Sequence, residues 1–149
     1  MNSRLVSACL LALSALSLAP ATRAAECSLT TGQAWIRLPP TAAMPMAAGF
    51  VRIDNPCAQA ISIVGAESLS FGDVSLHESR VVDGVNKMRE IESLPVAAKQ
   101  SVQLKPGGLH LMLMQPETPL KEGEQPVISL KLKDGRSLPV TFTVRKTAP

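Results

Sequence analysis

Aromatic residues are scarce in this sequence. Tyrosine is absent, and one tryptophan and three phenylalanines make up 3% of the 149 residues. No lysine- or arginine-rich stripe with interleaved aromatic side chains occurs, although nucleic-acid-binding proteins typically carry one. Paired carboxylates, or a nucleophile beside a base, are also lacking at informative positions. The chain is therefore not expected to bind nucleic acid or to be an enzyme.

Long apolar runs are lacking except at the N-terminus. Arg4 precedes an apolar run over residues 5–19, and residues 20–24 supply the small side chains of a cleavage site. This pattern is typical of a signal peptide, and the run is too short for a membrane-spanning helix. We predict a signal peptide over residues 1–24 and a single exported, soluble domain over residues 25–149. Removal of the signal peptide takes away two arginines and leaves 13 Lys+Arg against 12 acids, so the mature chain has a net charge of +1.

A lipid anchor is the alternative for this segment. Residues 6–9, Val-Ser-Ala-Cys, resemble a lipoprotein cleavage box, but this cysteine lies near the start of the apolar run, so no apolar run precedes the box. Cleavage at the signal peptide removes Cys9 and leaves Cys27 and Cys57. In an oxidising compartment such a pair predicts a structural disulfide between the N-terminal segment and the second strand. A redox-active or metal-binding pair is disfavoured because no Cys-x-x-Cys spacing occurs.

The apolar pattern predicts an all-β chain. No window shows a convincing helical stripe, whereas short alternating runs are separated by proline and glycine turn signals. Eight or nine such strands indicate an antiparallel β-sandwich or barrel. The predicted strands cover residues 33–37, 47–55, 60–66, 74–78, 85–91, 101–104, 109–114, 127–133 and 137–144.

Histidine is rare, and both copies fall into one pattern with methionine. Ten residues separate His77 from Met88, twenty-one separate Met88 from His110, and one separates His110 from Met112. Two imidazoles and two thioethers form a soft donor set that suits copper(I) better than zinc, magnesium or calcium. Taken alone, each residue has an ordinary explanation that involves no metal: a histidine whose hydrogen bonds are satisfied within the protein, or a methionine that fills the core. The combined pattern favours a copper(I) site.

Strand geometry indicates how these residues meet. Residues 107–114 read Gly-Gly-Leu-His-Leu-Met-Leu-Met, so the leucines share one face, and His110, Met112 and Met114 share the other. Met114 is expected to pack beside the site. His77 and Met88 flank an Asp-Gly hairpin signal, which predicts a cross-strand pair facing the other half-site across the fold.

Residues near the four candidate ligands are expected to support the site. Glu78 or Glu90 is expected to accept the second imidazole N–H, because metal-bound histidines usually donate this proton to a neighbouring group. Met44 and Met46, in a proline-flanked loop, either shield the ion or are simply exposed.

The spacing His-x10-Met-x21-His-x-Met resembles the signature of the PCuAC family of periplasmic copper chaperones. Residues 34–37, 48–50, 83–84 and 106–114 also look like that family. The resemblance implies a cupredoxin-like Greek-key β-barrel that binds one copper(I) through His77, Met88, His110 and Met112. It further implies a periplasmic monomer that delivers copper to cytochrome c oxidase, often beside a Sco-type thiol protein. The chain lacks the His- and Met-rich C-terminal tail of some members, so copper(II) binding is not implied.

Three other functions compete with this interpretation. A blue-copper electron carrier needs a cysteine thiolate near the ligand strands, and neither Cys27 nor Cys57 lies there. Copper buffering or resistance would use the same site without a dedicated acceptor. A purely structural β-sandwich would bind no metal.

Overall fold

The computed structural model describes residues 27–41 and 43–149, and each regular element in those ranges is a β-strand. The predicted signal peptide lies outside the described residues. Within them, no helix has the length and apolar character needed to cross a membrane. The strands are β1 (Thr30–Arg37), β2 (Met46–Asp54), β3 (Ile61–Glu67), β4 (Phe71–Val82), β5 (Val85–Glu90), β6 (Leu94–Val96), β7 (Ser101–Gln103), β8 (Leu109–Pro116), β9 (Val127–Leu132), β10 (Ser137–Thr141) and β11 (Thr143–Arg145).

Two sheets enclose the core. The larger sheet has the order β11-β1-β2-β8-β4-β5, with β7 also paired to β2, and the smaller has the order β10-β9-β3-β6. Apolar side chains from both sheets form one buried cluster, to which β8 contributes Leu111 and Leu113, both fully buried. The predicted all-β class is confirmed. One pairing differs from the antiparallel expectation, because β1 and β11 run parallel.

The strands differ most from the prediction at three places. β4 runs from Phe71 to Val82, well beyond the predicted residues 74–78, because it pairs with β8 on one side and β5 on the other. β6 was missed, since it has three residues with a proline in the middle. The predicted last strand is divided in two at Phe142: β10 pairs with β9 in the smaller sheet, and β11 pairs with β1 in the larger.

A disulfide joins Cys27 to Cys57, as the sequence predicts, with 5.6 Å between the two Cα atoms. Cys57 lies in the connection that follows β2, not in the strand itself. The buried Asn55 organises this connection: its side-chain amide donates to the carbonyls of Gln59 and Val96, and its oxygen accepts from the Cys57 N–H. The disulfide therefore links the N-terminal segment to a bend that the hydrogen bonds of Asn55 already hold in place.

Candidate metal site

The two histidines lie directly opposite each other on neighbouring strands. His77 of β4 pairs with His110 of β8, and their ring centroids are 5.8 Å apart with an interplanar angle of 36°. The expectation that two half-sites face each other across the fold is therefore wrong. Because β4 and β8 are hydrogen-bonded neighbours, one rigid sheet sets the separation of the imidazoles.

His110 has one ring nitrogen anchored and the other available to bind a metal ion. The residue is 6% exposed, and its Nδ1 lies 3.0 Å from the Gly108 carbonyl oxygen. A carbonyl only accepts, so Nδ1 carries the proton and donates it. The lone pair then lies on Nε2, which is the form of imidazole that binds a metal through Nε2.

His77 shows the opposite arrangement. Its Nε2 lies 3.1 Å from the Ser75 hydroxyl oxygen, and that hydroxyl donates to Asp73 Oδ2 at 3.4 Å. The serine oxygen therefore accepts the Nε2–H, and the lone pair lies on Nδ1. His77 Nδ1 is buried and has no hydrogen-bond partner. A buried polar atom without a partner is uncommon and fits a position that binds an ion.

Neither Glu78 nor Glu90 accepts the hydrogen bond from an imidazole that the sequence predicts; Ser75 and Gly108 take that role. Glu78 instead forms ion pairs with Arg80 at 2.7 Å and Arg89 at 2.9 Å. Glu90 lies opposite His77 across the hairpin, without a hydrogen bond to it. The sequence did contain a signal for the true partner: Asp73, Ser75 and His77 recur at every second position, so they share one face of β4.

Met112 and Met88 reach the same face of the sheet from two sides. Met112 is half-buried, follows His110 by two residues, and lies opposite Ser75. Met88 is 53% exposed and lies opposite Ser79, two positions along β4 from His77. The predicted direct pair of His77 and Met88 is thus a diagonal pair, for which a separation of about 7–8 Å is typical. A long, flexible thioether can still reach across this distance.

Burial changes the acid–base behaviour of His77. It lowers the pKa of His77 below its ordinary value, and the nearby His110 lowers this pKa further. Glu90 and Asp73 act in the opposite direction but do not reverse the shift. The ring is therefore kept neutral, which is the form that a metal ion requires.

Among the described residues, methionine is absent from the core and concentrated on this face. The buried apolar cluster contains no methionine. The four strand methionines lie on the same side of the larger sheet as the two histidines, as the register requires. They are Met46, Met88, Met112 and Met114. The expected loop position of Met46 is wrong, since Met46 begins β2.

Comparison with known proteins identifies relatives in both sequence and fold. A profile of the LpqE-like family, described as "Putative lipoprotein LpqE-like", matches residues 29–144. A protein of Leifsonia xyli subsp. xyli named "Putative lipoprotein Lxx21020" is 32% identical over 114 residues, which cover 76% of this chain and 67% of that protein.

Several solved structures share the fold. The solution structure of CuI-DR1885 from Deinococcus radiodurans is 30% identical with a TM-score of 0.63, covering 85% of this chain and 83% of that one. Apo-DR1885 is 29% identical with a TM-score of 0.62, covering 99% and 97%. The apo PCuAC domain from PmoF1 is 18% identical with a TM-score of 0.66, covering 83% and 98%. These matches confirm the resemblance to PCuAC proteins and the cupredoxin-like β fold.

Proposed function

This chain belongs to the LpqE-like family, and on that premise we propose that it is an exported copper(I) chaperone. The observation that carries the proposal is the pair of facing imidazoles, each with one ring nitrogen anchored and the other available. DR1885, for which a solution structure of the CuI form is known, is 30% identical to this chain and matches most of its length. Both support a site for a single soft ion.

The proposed ligands are His77 through Nδ1, His110 through Nε2, and the thioethers of Met88 and Met112. All four are neutral, so copper(I) would keep its single positive charge at the site. Soft sulfur donors with imidazole favour copper(I) over harder divalent ions. The Ser75 hydroxyl and the Gly108 carbonyl would hold the two rings in the required tautomers.

Transfer would proceed by ligand exchange, with no change of oxidation state. Met88 is the most exposed of the four ligands and lies on the edge strand β5. An incoming thiol or imidazole of an acceptor would replace this thioether first, while the more buried His110 still holds the ion. The role is therefore binding and delivery, not catalysis.

We propose the periplasm as the location and the copper centre of cytochrome c oxidase as the acceptor, with a Sco-type thiol protein acting beside this chain. The names of the family and of its Leifsonia xyli relative include the word lipoprotein, which supports export. Copper buffering or resistance is the alternative, because it would use the same site. A deletion strain distinguishes them: loss of oxidase activity that added copper restores supports delivery, whereas copper sensitivity with normal oxidase activity supports buffering.

The binding site itself is tested by anaerobic copper(I) titration against a chromophoric competitor. We expect one tightly held copper(I) per chain and its loss in a His110→Ala/Met112→Ala variant. Met44→Leu is the matched control, since it changes a methionine outside the four ligands and should leave the titration unchanged. Tight copper(I) binding that survives the double substitution would refute the site, and strong visible absorption of the oxidised complex would indicate blue copper instead.

A further inference from the structure

Two methionines outside the proposed ligand set form a second soft pair on the same face. Met46 of β2 and Met114 of β8 are direct cross-strand partners. The neighbouring bond from the Gln115 N–H to the Pro45 carbonyl, at 2.7 Å, makes them a non-hydrogen-bonded pair. Side chains approach most closely in such pairs, with about 4.5 Å between the Cα atoms. The backbone therefore brings the two thioethers together.

Packing in the core does not require this pair. Met46 is 38% exposed and Met114 is half-buried, and neither belongs to the buried cluster of the described residues. On the reverse side of the same strands, Ala47 and Leu113 supply the core contacts. An aliphatic or polar residue would serve as well on a partly exposed face, so two facing thioethers there point to a role for their sulfur atoms.

The surroundings suit a monovalent cation. Asp73 lies opposite Met114 on the other side of β8, so the pair has a carboxylate on the neighbouring strand. Met112 lies on the same face of β8, about 7 Å from Met114 between Cα atoms. An ion held by Met46 and Met114 would thus be one ligand exchange away from Met112 and the histidine pair.

We propose that Met46 and Met114 form a second, weaker site for copper(I) or another soft monovalent ion, from which the ion passes to the histidine site. Without an imidazole, this site holds the ion less tightly than the first one. Passage breaks bonds from copper to the two thioethers and forms bonds to Met112 and the imidazoles, and copper stays monovalent throughout. The inference rests on the proposed function for the identity of the ion, although the second site itself does not depend on the first.

The test uses silver(I), a redox-inert soft ion, added to the purified apo-protein labelled with carbon-13 at the methionine methyl groups. We expect the first equivalent to shift the Met88 and Met112 signals and the second to shift the Met46 signal. Met46→Leu/Met114→Leu conserves volume and should remove the second equivalent while the first is retained. Met44→Leu is the control and should keep both.

The outcomes separate the two proposals. In a His77→Ala/His110→Ala variant, the Met46 signal should still shift while tight binding is lost. If silver(I) shifts the Met46 signal of the wild-type protein but not the Met88 and Met112 signals, the histidine site is refuted and the methionine pair stands. An unmoved Met46 signal at excess silver(I), or a second equivalent that survives the leucine substitutions, overturns the second site and leaves an exposed apolar patch.

Discussion

At the scale of single residues, the proposed copper site depends on which nitrogen of each imidazole carries the proton. The Gly108 carbonyl keeps the proton of His110 on Nδ1, whereas the Ser75 hydroxyl keeps the proton of His77 on Nε2. The sequence pattern indicates both histidines as ligands, which stays a prediction, but it does not identify these hydrogen-bond partners. Every residue has a backbone carbonyl, so the role of Gly108 depends on chain geometry alone, and a serine two positions from a histidine is common in strands without any metal.

Ser75→Ala is expected to weaken copper(I) binding without unfolding the protein. The substitution removes the acceptor for the His77 Nε2–H, so the ring can rotate or change tautomer and no longer presents Nδ1. Loss of such an outer partner typically costs about 10–100-fold in metal affinity. Competition titration measures the change, with Ser129→Ala in the smaller sheet as the control. Equal affinity of the Ser75→Ala variant and the wild type would contradict this role.

The shifted acid–base behaviour of His77 predicts a pH-dependent stability of the apo-protein. The unfolded chain protonates this ring near its ordinary pKa of about 6.5, whereas the folded chain keeps it neutral to lower pH. Between these two pKa values the unfolded state binds more protons. The free energy of unfolding should therefore fall as pH drops through about 6.5, and this loss should level off below the folded pKa.

Urea denaturation of the apo-protein at a series of pH values measures this loss. A His77→Gln variant retains a polar side chain but cannot titrate, so its stability should depend less on pH over that range. An unchanged pH dependence in the variant would assign the effect to another group.

At the scale of elements, the β4–β5 hairpin determines where Met88 lies. Its turn places Asp83 at a φ of 52° and Gly84 at a φ of 76°, and two positive angles in succession are typical of a type I′ turn. This turn fits the twist of the paired strands. The Asp-Gly signal predicted the hairpin correctly, and a two-residue loop also fixes the register, so the pairing of His77 with Glu90 follows from that signal.

Gly84→Ala is expected to weaken copper(I) binding and to lower stability by about 1–2 kcal/mol, the cost of a left-handed conformation for a residue with a Cβ. No atom lies within 4 Å of the added carbon, so the effect is conformational and not steric. Gly135→Ala is the matched control: its φ is 88° and its surroundings are also open, but it lies between β9 and β10. It should lower stability similarly and leave copper affinity unchanged.

Alternation predicted most strands but not their neighbours. The alternating apolar positions up to Val144 marked the last strand, yet the chain changes sheets at Phe142 because β10 and β11 find partners in different sheets. Likewise, nothing local shows that β8 inserts between β2 and β4. That insertion brings the half-sites side by side, so the geometry of the site follows from long-range pairing that the sequence pattern does not encode.

At the scale of the whole molecule, the disulfide and the proposed copper site lie apart. Cys57 follows the C-terminal end of β2, whereas Met46 and Ala48, which pair with the methionines of β8, lie near its beginning. A Cys27→Ser/Cys57→Ser variant should lose about 3 kcal/mol of stability, because a loop of about 30 residues is no longer closed in the unfolded state. Urea denaturation measures this loss. Copper(I) affinity measured below the unfolding transition should stay constant, and a parallel loss of affinity would show that the two regions are coupled.

Along β8, side chains that pack in the core alternate with side chains on the face of the proposed copper site, and this separates the fold from the surface chemistry. Leu111 and Leu113 hold the two sheets together, while His110, Met112 and Met114 on the other face contribute nothing to the main buried cluster. Replacing every second residue of one short segment would therefore change the chemical selectivity of the surface while its architecture is inherited intact. The same scaffold can in this way be adapted to bind a different ligand without a new fold.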